Sequence, residues 1–221
     1  MSPGHAEAKT LLYATTNPGK VLEVRKYLQS YGIPLVAPAE LGLTIAVEET
    51  GQTLEENAIL KAQAYRNHAP HLLVLADDTG VEIDALNGEP GIHVRRWKDH
   101  ITPMSDQAII DYCLERLHHV PPAQRGAQLR TVLALRLPDG SMELFEGRLR
   151  GVIVETPAPL TIPGFPFEAL FYVPEWGKLL GDVHTLPIDA KLQQGHLTHR
   201  ERALHQAVPR LQSLLGNSQP G

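Results

Sequence analysis

A single cysteine, Cys113, occurs in the 221 residues, so no disulfide can close within the chain and no thiolate cluster can gather a metal from this chain alone. That scarcity points to a reducing, cytoplasmic setting. No apolar run reaches the ~18 residues that a membrane-spanning helix needs, and the opening MSPGHAEAKT has no long apolar stretch of the signal-peptide kind. Neither a bilayer span nor a secretory leader is expected. Basic residues are in deficit, 20 Lys and Arg against 25 Asp and Glu, and the net charge of −5 offers no surplus for duplex nucleic acid or an anionic membrane. Small free molecules are the expected partners. Internal repeats and low-complexity tracts are also missing, which sets aside solenoids and long linkers.

What is present is enough apolar residue, 43%, to bury a large core over 1–221 as one domain of closely joined lobes. Residues 1–9 and the polar stretch 216–221 are expected to fray, and eighteen prolines imply many turns. Leu11 to Thr15 reads as a buried strand, TNPG as a turn, and Lys20 to about Ser30 as a helix with Val21, Val24 and Leu28 on one face. Thr53 with Glu56 three residues on forms a capping box for a helix towards Asn67. The apolar run His71 to Leu75 is a strand delivering Asp77 and Asp78, Thr79 and Gly80 make a sharp turn, and Val81 to Leu86 is a second short strand closed by NGEPG.

Ser105 or Asp106 then caps an amphipathic helix carrying Ile109, Ile110, Cys113, Leu114 and Leu117. Leu129 to Leu137 alternates, turns at Pro138-Asp139-Gly140, and returns through Met142 to Val154, a long hairpin with Gly147 and Gly151 as candidate bulges. An aromatic loop GFPFE, a strand Ala169 to Val173, a Pro/Gly-rich connection and a terminal helix from about His199 complete the chain, with Pro209 expected to kink or break that helix. Parallel-type strands beside a hairpin predict an α/β fold with an elongated mixed sheet flanked by helices.

Three groups of residues carry chemistry. In TTNPGK, a strand-to-helix turn exposes backbone N–H groups at the positive end of a helix, a seat for phosphate, with Thr15, Thr16 and Asn17 as side-chain donors and Lys20 as a point charge. An ordinary turn is the alternative. Glu48, Glu49, Asp77 and Asp78 are carboxylates near element ends, suited to a hard divalent ion such as Mg²⁺ and to orienting an attacking water. Solvated surface acids are the alternative there. Because neighbouring strand residues face opposite ways, one of Asp77 and Asp78 faces the cleft while the other braces loops, and Asp78 is the one placed in the cleft. Phe165 and Phe167 are placed to stack on a nucleobase or to fill the core, and Thr198, His199 and Arg200 to donate to base or phosphate. His118 and His119 end a helix and read as structural.

Taken together, ATTNPGK at 14–20, EETGQTLEENAILKA at 48–62, ADDTGVEIDALNGEPGI at 76–92, and the pair GF at 164–165 and THRERAL at 198–204 resemble the inosine triphosphate pyrophosphatase family. The ordered motifs span roughly residues 10–205, far more than any one short motif. The resemblance implies Mg²⁺-dependent hydrolysis of non-standard purine nucleoside triphosphates to monophosphate and pyrophosphate, in a cleft between two lobes, by a homodimer. It implies that Thr15, Thr16, Asn17 and Lys20 hold phosphates, that Glu49 and Asp78 bind metal, and that Asp78 acts on the water. Thr79 stands where the family commonly has serine, and His199 and Arg200 match its base-contacting pair.

Departures fall at the base end. The family's Gly-Phe-Gly-Tyr-Asp becomes Gly164-Phe165-Pro166-Phe167-Glu168; the lysine expected five residues before the histidine is Gln194, with Lys191 the nearest substitute; and Ser-Ala-Arg becomes Val94-Arg95-Arg96. Losing groups that hydrogen-bond a base alters selectivity more readily than phosphate chemistry. Two other readings stay open: a related pyrophosphatase with a pyrimidine or modified-base preference, and a nucleotide-binding module without turnover.

Overall fold

A computed structural model of the chain describes residues 10–137, 139–159 and 162–216. The ends expected to fray, 1–9 and 217–221, and Pro138 of the hairpin turn lie outside them. Gly216 does not fray: at φ +70° it closes the last helix, its N–H bonded to Gln212 O.

The first half runs β1 (Leu11–Tyr13), α1 (Pro18–Gln29), β2 (Leu35–Val36), α2 (Leu54–His68), β3 (Leu73–Ile83), β4 (Pro90–Gly91) and α3 (Asp106–Leu117). The second runs β5 (Gly126–Arg136), β6 (Met142–Ile153), β7 (Phe171–Val173), β8 (Lys178–Leu179), α4 (Leu180–His184), α5 (Ile188–Gln194) and α6 (His199–Leu215). One sheet orders these strands β2-β1-β3-β5-β6-β7-β8, with β4 added against β3. β1 is parallel to β2 and β3 while the other pairings are antiparallel, so the sheet is mixed, as expected.

Alternation along the strands divides the core between faces. Leu11, Tyr13, Leu75 and Leu133 meet α1 and α6 through Val24, Leu28, Leu204 and Leu211, while Leu12, Val74, Ala76 and Val132 meet α2 through Ala58 and Ala62. A third cluster, with Ile83, Leu149 and Phe171 packed on Ile109, Cys113 and Leu117 of α3, builds the other lobe.

Four expectations change. β3 is one strand of 11 residues paired to β5 from Val74 to Ile83, so Thr79 and Gly80 continue it rather than turn it. Gly80 is glycine because a Cβ there would lie 2.7 Å from the Gly91 carbonyl of β4. Gly147 and Gly151 are no bulges, since Thr131 pairs Gly147 and Ala127 pairs Gly151 in an unbroken ladder. A Cβ at Gly147 would strike α6, within 2.6 Å of Ala203 N, so the missing side chain lets α6 lie directly on the sheet with His199 over Thr131. α6 continues through Pro209, so the expected break does not occur. An interior proline costs about 3 kcal/mol, and burial of Leu204, Val208, Leu211 and Leu215, each contributing roughly 1.5–3 kcal/mol, outweighs it. Finally, the Pro/Gly-rich connection holds two short helices, α4 and α5.

Candidate active site

The site is organised by β3, whose middle carries Asp77 and Asp78 on opposite faces. Asp77 is fully buried towards α1 and α6: Tyr13 Oη donates to its Oδ1 at 2.7 Å, and Lys20 Nζ (2.9 Å) and Arg200 Nε (3.2 Å) both reach its Oδ2. Burial alone would raise its pKa, but Lys20, Arg200 and Lys61 outweigh that and hold the carboxyl far below the usual carboxylate range. It is the bracing member of the pair.

Asp78 turns to α2. Lys61 Nζ lies 2.7 Å from Asp78 Oδ1 and 3.6 Å from Glu49 Oε1, and Asn57 Nδ2 donates to Asp78 Oδ2 at 3.4 Å. Burial, against the opposing pull of Lys61 and Lys20, raises the Asp78 pKa and so makes its carboxylate a better proton acceptor. Lys61 would be lowered by burial, but Asp78, Asp77 and Glu49 raise it. Asn57 and Lys61 are four residues apart, hence on one face of α2; that spacing inside EENAILKA is the signal for both, although the motif gave a helix start and a family resemblance without naming either residue. The helix starts after Thr53 as expected, with Thr53 Oγ1 accepting from Glu56 N at 3.1 Å, but the capping box is only half formed, since Glu56 Oε2 accepts from Gln52 N at 2.6 Å and not from Thr53 N.

A cleft of about 420 Å³ joins these groups to the first turn: Thr15, Thr16, Asn17, Lys20, Glu49, Asn57, Lys61, Asp78 and Thr79 all line it. Glu48 stays exposed outside it. The turn itself differs from expectation. α1 begins at Pro18, and Asn17 Oδ1 accepts from Gly19 N (2.9 Å) and Lys20 N (3.3 Å), while Asn17 N donates to Thr15 Oγ1 at 3.2 Å. The cap thus engages the Gly19 and Lys20 amides, two of those the turn was expected to expose, while Lys20 and Lys61 bring two ammonium groups to the cleft. Gly19 is required for another reason: a Cβ there would collide with the Phe165 ring.

That ring belongs to the far end of the cleft, where Phe165, Phe167, Glu168, His199 and Arg200 join the lining. The loop before it is pinned at Gly164, whose φ of +88° suits glycine. Arg95 donates to Gly164 O at 2.9 Å and pairs with Asp106 at 2.5 Å, and Asp106 accepts from Gly164 N at 2.7 Å. Arg200 stands 5.5 Å over the Phe165 ring, with its nitrogens engaged by Glu23, Asp77 and Thr79. Phe167 both lines the cleft and packs on Trp97.

Two expected contacts sit elsewhere. Lys191 is buried behind the first turn of α6 with its Nζ 2.7 Å from Glu201 Oε1, outside the cleft lining, because Glu201 offers a buried partner that solvent or substrate would have to displace. Thr198 caps α6 and donates to Glu23 Oε1 at 2.9 Å. Glu23, Thr131 and His184 were not anticipated; each is a lone residue in its segment, and only the fold brings it against a residue that lines the cleft, Arg200, His199 and Glu168 in turn.

His199 Nδ1 lies 2.6 Å from Thr131 Oγ1, and burial, then the Arg200 charge, bring its pKa down to about 3. Protonation therefore favours the unfolded chain between the ordinary value of 6.5 and about 3, so this group contributes stability above 6.5 that is lost as pH falls. A parent chain melted beside His199→Gln is expected to lose its lead as pH drops from about 7 to about 4. A gap that does not change with pH would contradict a neutral, buried His199.

Comparison with known proteins adds the decisive observation: the Ham1 family model matches residues 11–210. The chain belongs to the Ham1 family. Among its relatives, a dITP/XTP pyrophosphatase of Thermus thermophilus is 41% identical over 197 residues, 89% of this chain and 90% of that protein. Another from Bacillus subtilis is 37% identical, covering 89% and 93%. The solved Staphylococcus aureus Ham1 protein superposes with a TM-score of 0.71 at 32% identity, over 92% of this chain and 98% of that one. The α/β fold of this Ham1-family member thus agrees with the sequence resemblance. No helix among its described residues is long and apolar enough to cross a membrane.

Proposed function

We propose that this Ham1-family chain hydrolyses non-standard purine nucleoside triphosphates, dITP and XTP among them, to the monophosphate and pyrophosphate. The observation that carries the reading is the single cleft in which Lys20 and Lys61 face Asp78 and Glu49 at one end while Phe165 and Glu168 face it at the other. The names of the relatives support the substrate class.

Lys20 and Lys61 attract the polyphosphate, with the Thr15 and Thr16 hydroxyls beside it. Asp78 accepts a proton from water as the water oxygen bonds to the α-phosphorus. The bond from that phosphorus to the bridging oxygen breaks, and pyrophosphate leaves. Phe165 offers a face to the base.

The residues fit a divalent ion of the shared kind. Glu49 and Asp78 already converge on one cationic centre, the Lys61 ammonium. No group of three or more acidic, histidine or cysteine ligands exists among the described residues, so phosphate oxygens and water must complete the shell, as Mg²⁺ commonly accepts. When bound, Mg²⁺ supplies neutralisation of the polyphosphate charge. A homodimer and a cytoplasmic setting, with Cys113 a buried free thiol, belong to the same reading.

The test is incubation with a panel of triphosphates, scoring pyrophosphate against inorganic phosphate. Expected is pyrophosphate from dITP and XTP, lost with a chelator and restored by Mg²⁺. Inorganic phosphate as the product would refute the cleavage position, release from pyrimidine triphosphates alone would refute the base class, and nucleotide-dependent stabilisation without product would mark a binding module.

A further inference from the structure

Behind the cleft, Glu168 has an asymmetric environment. It sits in the short turn Pro166–Ala169, is only 5% exposed, and lines the cavity. His184 Nδ1, at the end of α4, donates to its Oε1 at 2.8 Å, whereas Oε2 is buried with no hydrogen-bond partner among the described residues. The His184 ring also packs on Phe165, centroids 5.1 Å apart, so one imidazole touches both the aromatic face and the acid of the base end. A buried carboxylate oxygen without a donor is costly, and a ligand that supplies one donor relieves it.

We propose that His184 is a positioning residue for base selection: by holding Oε1 of Glu168 in a hydrogen bond it fixes the carboxylate and leaves Oε2 as its oxygen without a donor, which suits the single N1–H of hypoxanthine better than the paired donors of guanine. This rests on the reading that the cleft takes purine nucleotides. Hypoxanthine presents one donor on that edge, N1–H, with a C–H beside it at position 2. Guanine presents two adjacent donors, N1–H and the 2-amino group, which match the two oxygens of an unencumbered carboxylate. With Oε1 held by the imidazole, the 2-amino group meets an oxygen already engaged and aimed elsewhere, and a site that pairs a polar group poorly discriminates against it. Adenine carries a lone pair at N1 and is repelled by Glu168 in either case. His184 does not line the cavity, so its influence passes through the acid.

The experiment measures kcat and KM for dITP and dGTP with the full-length chain and with two variants, each checked by thermal melting. His184→Phe keeps a ring against Phe165 but has no donor; His184→Asn places an amide N–H near the position of Nδ1. The parent chain is expected to favour dITP, the Phe variant to narrow that preference about tenfold through KM rather than kcat, and the Asn variant to restore it. The proposal is overturned if the preference is unmoved in the Phe variant, if Phe and Asn shift it alike, or if both nucleotides lose equally. A parent chain that takes dGTP as readily as dITP overturns it even where neither variant folds. If no triphosphate is cleaved, the proposed activity fails separately. Calorimetric binding of dIMP and dGMP to the parent chain then decides, equal affinities overturning the role of His184 and tighter dIMP supporting it.

Discussion

Asp78→Asn is expected to lower dITP turnover on the order of 10³-fold, the range lost when a positioned general base is removed. The melting temperature should stay level or rise. Burial raises the pKa of Asp78, meaning that the fold disfavours its charge, so a neutral isostere relieves a cost rather than removing a support. Its partner Lys61 keeps Glu49 at 3.6 Å. Activity and stability are therefore predicted to separate, which distinguishes chemistry from packing. Steady-state pyrophosphate release beside a thermal melt reads both. Turnover within a few fold of the parent chain would remove Asp78 from the reaction, and a loss that follows a lowered melting temperature would make it structural.

The neighbouring residue should behave in the opposite way. Asp77→Ala is expected to destabilise the fold by about 3–5 kcal/mol, the range seen when one partner of a buried ion pair is deleted. For a chain of this size, that corresponds to a melting temperature lower by roughly 6–20 °C. Removal leaves the Lys20 ammonium and Arg200 Nε without that carboxylate and deprives the Tyr13 hydroxyl of its acceptor. Glu23 still holds Arg200, which is why a large drop rather than complete unfolding is expected. Asp77→Asn, able to accept from Tyr13 but uncharged, should fall between the two. A melt within 2 °C of the parent (~0.5–1 kcal/mol) would mean that the cations find water and that the burial of this network is less demanding than it looks.

How far these roles were legible in the sequence depended on distance along the chain. The alternation rule assigned Asp77 and Asp78 to opposite faces without knowing what lay on either. Lys61 stood inside a recognised motif, yet its direction depends on where α2 crosses β3. Glu23 and His184 act on groups 177 and 16 residues away, and no local pattern announces either partnership. The misread glycines share one cause. Gly19, Gly80, Gly147 and Gly151 looked like turns or bulges, the local uses of glycine, whereas contacts remote in sequence explain them: Phe165, Gly91, α6 and β7 each occupy the space a Cβ would take. Pro209 is similar, a local penalty overruled by burial along the rest of α6.

The unbroken β3–β5–β6 ladder has a mechanical implication. Its strands pair over 10 and 11 residue positions and contribute side chains to all three core clusters, so the two lobes share one stiff spine instead of meeting at a joint. Accommodating nucleotides of different shape is then expected of the peripheral segments that bring Glu49 and Phe165 to the rim, with Asp78 held opposite Val132 in the ladder.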